Sequence, residues 1–306
     1  MGVASHGTNQ ASTTTHRSTP AAVGGSRLSL QCEPIGPDTT TIRSLDWDRS
    51  RFDIEFGLRN GTTYNSFLVR GERTALIDTS HLKFEGTWLP LLEAQINPQA
   101  IDYLIVSHTE PDHSGLIGHL IDLNPEIEIV GSKVAIQFLE NQVHRPFKSR
   151  AVKSGEELDL GSNPESGVQH RFEFLSAPNL HWPDTIFSFD HGTGILYTCD
   201  AFGLHYCSDD VFDVDPGAIA PDFRFYYDCL MGPNARSVLQ AMKRMDALPA
   251  INTIAVGHGP LLREHLSLWL SDYREWSEGR SKGEAYAAVC YVSQYGFCDR
   301  LSQAIA

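Results

Sequence analysis

The chain has 306 residues, of which 41% are hydrophobic and 10% aromatic, enough to bury a sizeable core. Its 24 Lys and Arg stand against 38 Asp and Glu, a formal net charge of -14, which argues against nucleic-acid or anionic-membrane partners because these need a basic surface. No apolar run reaches the roughly 18 residues that a membrane span requires.

The first 32 residues are rich in Ser, Thr, Gly and Ala, and no acidic residue precedes Glu33. Such composition predicts a disordered tail over 1–36, while the cysteine usage points to a cytoplasmic protein. The alternative is an organelle transit peptide, which would place the protein in the plastid stroma. His6 stands where a myristoylation signal needs Ser or Thr, so that anchor is excluded. The cysteines at 32, 199, 207, 229, 290 and 298 form no CxxC pair and read as reduced thiols.

From about residue 37 short apolar runs alternate with helical patterns. Strands are expected at 65–69 and 74–77 around the turn Arg70-Gly71-Glu72-Arg73. A helix over Leu89 to Gln95 precedes a strand at 103–106. Ser114 is placed to cap a helix running to Leu123, with a strand at 127–130 and a helix near 133–143 to follow. In the second half, strands are expected at 172–175, 186–189, 194–198 and 253–256, and helices at 235–247 and 262–276. Two successive halves of this kind predict a layered α/β domain over 37–284. Residues 286–292 read as a new strand, followed by a polar loop and a helix starting at Arg300. That is the opening of a second α/β unit over 285–306, whose helix N-terminus would suit an anion.

Four expected strands end where metal-capable residues begin. YLIV leads into His108-Thr109-Glu110-Pro111-Asp112-His113; FEFL leads to His181, ILYT to Asp200 and TIAV to His258. Ligands of layered α/β folds sit beyond strand C-termini. His108, Glu110 and Asp112 alternate, so an extended segment projects them to one side. Pro111 is expected to hold that segment out of a helix and to keep Glu110 extended. Without a cation, three such groups on one short face would repel one another or lie unpaired. Four imidazoles and three carboxylates suit iron, manganese or zinc, and the anionic oxygens favour a redox pair. His119, His144, His170, His191, His205 and His265 lack a strand-end context and read as ordinary polar residues. Cys199 reads as core, and Trp269, Tyr273 and Trp276 as helix packing.

These stretches, together with NGTTYNSFLV (60–69), DYLIVSHTEPDHSGL (102–116), APNLHWPDT (177–185), YTCDAFG (197–203) and GHGP (257–260), resemble the diiron domain of flavodiiron proteins, above all their cyanobacterial oxygen-reducing branch. The resemblance implies the metallo-β-lactamase-like αββα sandwich and two iron ions. It assigns His108, Glu110 and His181 to one iron, Asp112, His113 and His258 to the other, and Asp200 to the bridge. Hydrolytic zinc relatives carry His where this chain has Glu110. YVSQYGFCD (291–299) resembles the first strand and FMN-phosphate loop of the family's flavodoxin domain, giving Ser293, Tyr295 and Gly296 as FMN contacts. Only the opening of that domain is expected, so FMN would not be retained by this chain alone. The implied activity is reduction of dioxygen to water with electrons from FMN and NAD(P)H. The implied assembly is a homodimer, or a hetero-oligomer with a related flavodiiron protein, in which the flavin of one subunit serves the irons of the other. Nitric oxide reduction, zinc-dependent hydrolysis and a non-catalytic partner subunit are the alternatives.

Overall fold

The protein is described by a computed structural model covering residues 16–17, 21–23, 26–52, 56–281 and 289–305. Its first sheet begins with β1 (His16–Arg17), β2 (Ala21–Val23), β3 (Ser26–Gly36) and β4 (Thr39–Asp46). A separate hairpin of β5 (Arg51–Phe52) and β6 (Phe56–Gly57) intervenes before β7 (Thr62–Arg70), β8 (Thr74–Ile77), β9 (Tyr103–Ile105), β10 (Glu128–Gly131) and β11 (Lys148–Ala151) complete the sheet. A second sheet takes β12 (Glu157–Ser162), β13 (Gln169–Ser176), β14 (Ile186–Asp190), β15 (Ile195–Cys199) and β16 (Thr253–Val256), in that order. The helices are α1 (Glu85–Gln95), α2 (Pro111–Ser114), α3 (Ile117–Leu123), α4 (Lys133–Val143), α5 (Pro216–Tyr226), α6 (Ala235–Met245), α7 (Leu266–Ser281) and α8 (Phe297–Ile305).

Strand alternation sorts the side chains into layers. Leu76 and Leu104 turn outward to Trp88 and Leu92 of α1, Leu120 of α3 and Leu139 of α4. Their neighbours Ala75, Ile77, Tyr103 and Ile105 turn inward, into the same core as Phe172, Phe174 and Leu196 of the second sheet. Phe223, Met242 and Trp269, from α5, α6 and α7, close that core on its far side. The result is the expected αββα sandwich. Strands β8 to β11 run parallel, linked by helices that lie on the outer face. Trp269 and Tyr273 are packing residues, at 1% and 0% exposure.

Several expectations are corrected. The tail expected over 1–36 overlaps ordered structure: Ser26–Gly36 forms a strand paired along β4 from Leu28 to Gly36, and β1 and β2 pair with it. Leu28, Leu30 and Cys32 alternate toward the outer core, a period that the surrounding Ser and Gly conceal. Residues 1–15, 18–20 and 24–25 lie outside the described residues. Ser114 does not cap a helix: it closes α2, and its hydroxyl donates to Thr109 O and Glu110 O. The helix expected from 262 starts at Leu266, because Leu262 pairs with Ile254 and Asp213 takes the N–H groups of residues 263, 264 and 265. Of the strand expected at 286–292, residues 286–288 lie outside the described residues. The remainder, 289–292, is exposed and pairs with no strand among the described residues. Helix α8 begins at Phe297, three residues before Arg300.

Candidate metal centre

The site forms where strands of both sheets stop. Asp78 accepts from the Ser107 N–H at 2.8 Å as the chain leaves β9. Asp184 then accepts from both the backbone and the hydroxyl of Thr109, each at 2.8 Å. His108 is thereby fixed at the sheet edge. Glu110 is extended, as expected, but Pro111 does not keep the segment out of a helix. It occupies the first position of α2, where its missing N–H costs nothing. Asp112 and His113 therefore project from a helical turn and not from a strand.

The other ligand candidates arrive on tight turns. Cys199 has φ of +52° immediately before Asp200, and Gly257 donates to the Cys199 carbonyl at 2.6 Å. Asn65 holds the 257–259 turn by donating to Val256 O and Gly259 O, both at 2.9 Å. His258 Nδ1 lies 2.6 Å from the Thr63 carbonyl. A carbonyl only accepts, so Nδ1 carries the proton and Nε2 offers its lone pair to the site. His108 Nδ1 is likewise backed by Cys199 Sγ, at 3.4 Å.

All seven predicted residues converge. His181 Nε2 lies 2.8 Å from Glu110 Oε2 and 3.1 Å from Asp200 Oδ2, and His108 Nε2 lies 3.4 Å and 3.1 Å from the same two atoms. On the other side, His113 Nε2 and His258 Nε2 are 3.0 Å and 3.3 Å from Asp200 Oδ1. Asp112 Oδ2 is 3.3 Å from His258 Nε2 and 3.7 Å from His113 Nε2. Each oxygen of Asp200 thus serves one half of the cluster. Within each half, the ligand atoms fall within 4.8 Å of one another.

Charge and orphaned atoms both fit cations here. Neither carboxylate oxygen of Asp112 has a hydrogen-bond partner, although both are buried. His113 and His258 bring two Nε2 atoms to 3.1 Å, which suits two lone pairs converging on a cation better than two N–H donors. Burial opposes charge on His181, yet Asp200 and Glu110 push its imidazole up to about 9. His113 is raised well above the usual range, against the burial penalty, chiefly by Asp112. Asp200 is driven well below the carboxylate range, against its own burial, by His108 and His113. Without a metal the cluster takes up protons where a metal would sit. The donor set is nitrogen and oxygen with two halves sharing one carboxylate, and it fits two iron ions.

His205 escaped the sequence reading. It is buried, stacks on Phe52 at 4.2 Å, and lies 4.8 Å from the His258 ring. Burial, reinforced by His258, holds it neutral well below the usual imidazole range. Its position five residues after Asp200, in the loop leaving β15, was the available signal. His170 is also more than an ordinary polar residue, being fully buried between Asp190 and Asp38. Tyr295 and Gly296 lie in the bend ahead of α8, and Ser293 lies just before that bend. There Ser293 Oγ is buried without a partner, Tyr295 is exposed, and Gly296 has φ of +77°. No hydrogen bond links these three to the seven, among the described residues.

A family model described as ODP family beta lactamase matches residues 62–259. The chain is 62% identical over 280 residues to diflavin flavoprotein A 1 of Synechocystis sp., covering 92% of this chain and 48% of that protein. It spans about half the length of the curated relatives it matches. A metal-soaked flavodiiron core from Synechocystis superposes with a TM-score of 0.79 at 34% identity, over 91% of this chain and 68% of that one. The rubredoxin oxygen:oxidoreductase of Desulfovibrio gigas superposes with a TM-score of 0.75 at 29% identity, over 81% and 62%.

Proposed function

Because the chain belongs to the ODP family of beta-lactamase-fold domains, in its flavodiiron lineage, we propose that it is the diiron oxidoreductase core of a protein that reduces dioxygen to water. The observation carrying this reading is Asp200, one oxygen facing each half of a seven-residue nitrogen and oxygen cluster. His108, Glu110 and His181 would hold one iron, Asp112, His113 and His258 the other, with Asp200 between them. When bound, the iron pair would supply two electrons and a paired Lewis-acid platform for a diatomic, with two further electrons drawn from reduced flavin.

The chain's own contribution is orientation and exclusion of water. The Thr63 carbonyl aims the imidazole of His258, and Cys199 Sγ backs that of His108. Trp182, Phe52 and Tyr64 wall the cluster, with ring centres 5.9 Å from His108 and 5.3 Å and 5.5 Å from His258 respectively. Tyr226 is buried, and burial pushes its phenol well above the ordinary range, so its hydroxyl keeps its proton beside the site. In the proposed assembly, Ser293, Tyr295 and Gly296 receive the FMN phosphate at the start of α8. Residues 285–306 would open the flavodoxin unit, and a second subunit would bring its flavin to these irons. NAD(P)H is the proposed source of the flavin's electrons.

Iron quantification with Mössbauer spectroscopy, followed by anaerobic stopped-flow mixing of the ferrous protein with dioxygen, tests the proposal. A coupled two-iron spectrum and a rapid oxidation transient are expected. Tight occupancy by two zinc ions with thioesterase turnover would replace the reading with a hydrolase.

A further inference from the structure

A cleft of about 400 Å³ opens beside the metal centre, lined by Leu28, Asp46, Asp48, Arg49, Arg51 and Lys83. Among the described residues, its charges do not cancel. Asp46 accepts from Lys83 Nζ, and Asp48 is taken by Arg27, through the backbone N–H at 2.7 Å and Nε at 3.1 Å. Arg49 and Arg51 have no carboxylate partner among the described residues, and Arg49 Nε is buried without any acceptor. A guanidinium cannot shed its proton to relieve this. In a chain of net charge -14, two guanidiniums without a carboxylate partner among the described residues form a local positive focus at one concavity.

The cleft is one aromatic layer from the metal cluster. The Arg49 guanidinium sits 5.7 Å from the Phe52 ring centre, and that ring meets His258 edge-on at 5.3 Å. On the other wall, Lys83 Nζ lies 3.3 Å from the Tyr64 hydroxyl. We propose that this cleft is a binding site for a small oxyanion ligand of the phosphate or carboxylate class, held by the forked guanidiniums of Arg49 and Arg51. Planar N–H forks match the paired oxygens of both groups, and the volume lies within the range of small-molecule sites. The inference goes beyond the redox reading and does not depend on which metal the cluster holds.

Calorimetric titration of the whole chain with pyrophosphate, and separately with citrate, at low ionic strength tests it. Iron-loaded and metal-free protein are compared, so that a failed metal site and a failed anion site are distinguished. Saturable binding of one or both probes is expected, and the two arms separate phosphate from carboxylate preference. Arg49→Gln with Arg51→Gln should weaken binding by roughly tenfold or more, the scale of lost charge-assisted hydrogen bonds. The charge-matched control Lys133→Gln with Lys243→Gln, two exposed sites on α4 and α6, should leave it unchanged. If the double variant unfolds, Arg51→Gln alone, at an exposed position, must weaken binding. The absence of saturable heat with either probe, or equal weakening in the control, would overturn the proposal.

Discussion

At the scale of single residues, the cluster depends on carboxylates that no imidazole could replace in charge. Asp200 is 1% exposed and touches four histidines, two through each oxygen. Asp200→Asn keeps the shape but removes the anion. It is expected to lose most bound iron from both halves, measured by metal analysis after iron-replete expression; full iron content in the variant would contradict the bridging role. Supporting contacts act more gently. Asp184→Ala would free the Thr109 N–H and hydroxyl, and a loss of roughly 10–100-fold in iron affinity is expected, read by chelator competition. The seven ligand candidates were legible because each follows the end of an expected apolar strand by two to seven residues, where chemistry and position coincide. Their supports were not. Asp184 lies 75 residues from Thr109, and Thr63 lies 195 from His258, so only the assembled sheets reveal the pairing.

Turns and sheet contacts decide whether those residues meet. A Cβ on Gly257 would lie 2.7 Å from His113 Cε1 and 3.1 Å from Cys199 Sγ. Gly257→Ala therefore should displace His113 and deplete one iron while the fold survives, checked by iron stoichiometry beside circular dichroism. Far from the metals, His170 of β13 joins Asp190 of β14 at 2.8 Å and Asp38 of the β3–β4 turn at 3.4 Å, tying the two sheets together. Burial disfavours its charged form, but these carboxylates raise its pKa. The stabilisation is present in full below the unfolded value of about 6.5 and is lost as pH rises through the higher folded value. In metal-free protein, His170→Ala should cost about 3–5 kcal/mol near pH 6, with the difference from wild type shrinking toward alkaline pH in urea melts. An unchanging difference would remove the charged pair from the account. Periodicity made the central strands readable, whereas β3, β12 and α5 went unread because Ser, Gly and Pro interrupt their patterns.

For the molecule as a whole, metal bound at the cluster would also be a stability element, because the cluster packs the ends of both sheets around buried charge. Removing metal by chelation should lower the melting temperature, with about 2.7 kcal/mol lost when free metal stood at 100 times its Kd. Reloading should release protons, since the imidazoles raised by Asp112, Glu110 and Asp200 must give them up. A pH indicator in weak buffer records that release, and its absence would mean that the metal binds elsewhere. The single carboxylate shared at Asp200 has a further consequence for how the protein is assembled in a cell. With one oxygen of Asp200 facing each position, filling both would form one linked equilibrium, with each ion altering the affinity of its neighbour by the same factor. Half-loaded protein would then be scarce or abundant according to the sign of that coupling, and metal supply would act on the population as a threshold or as a gradient.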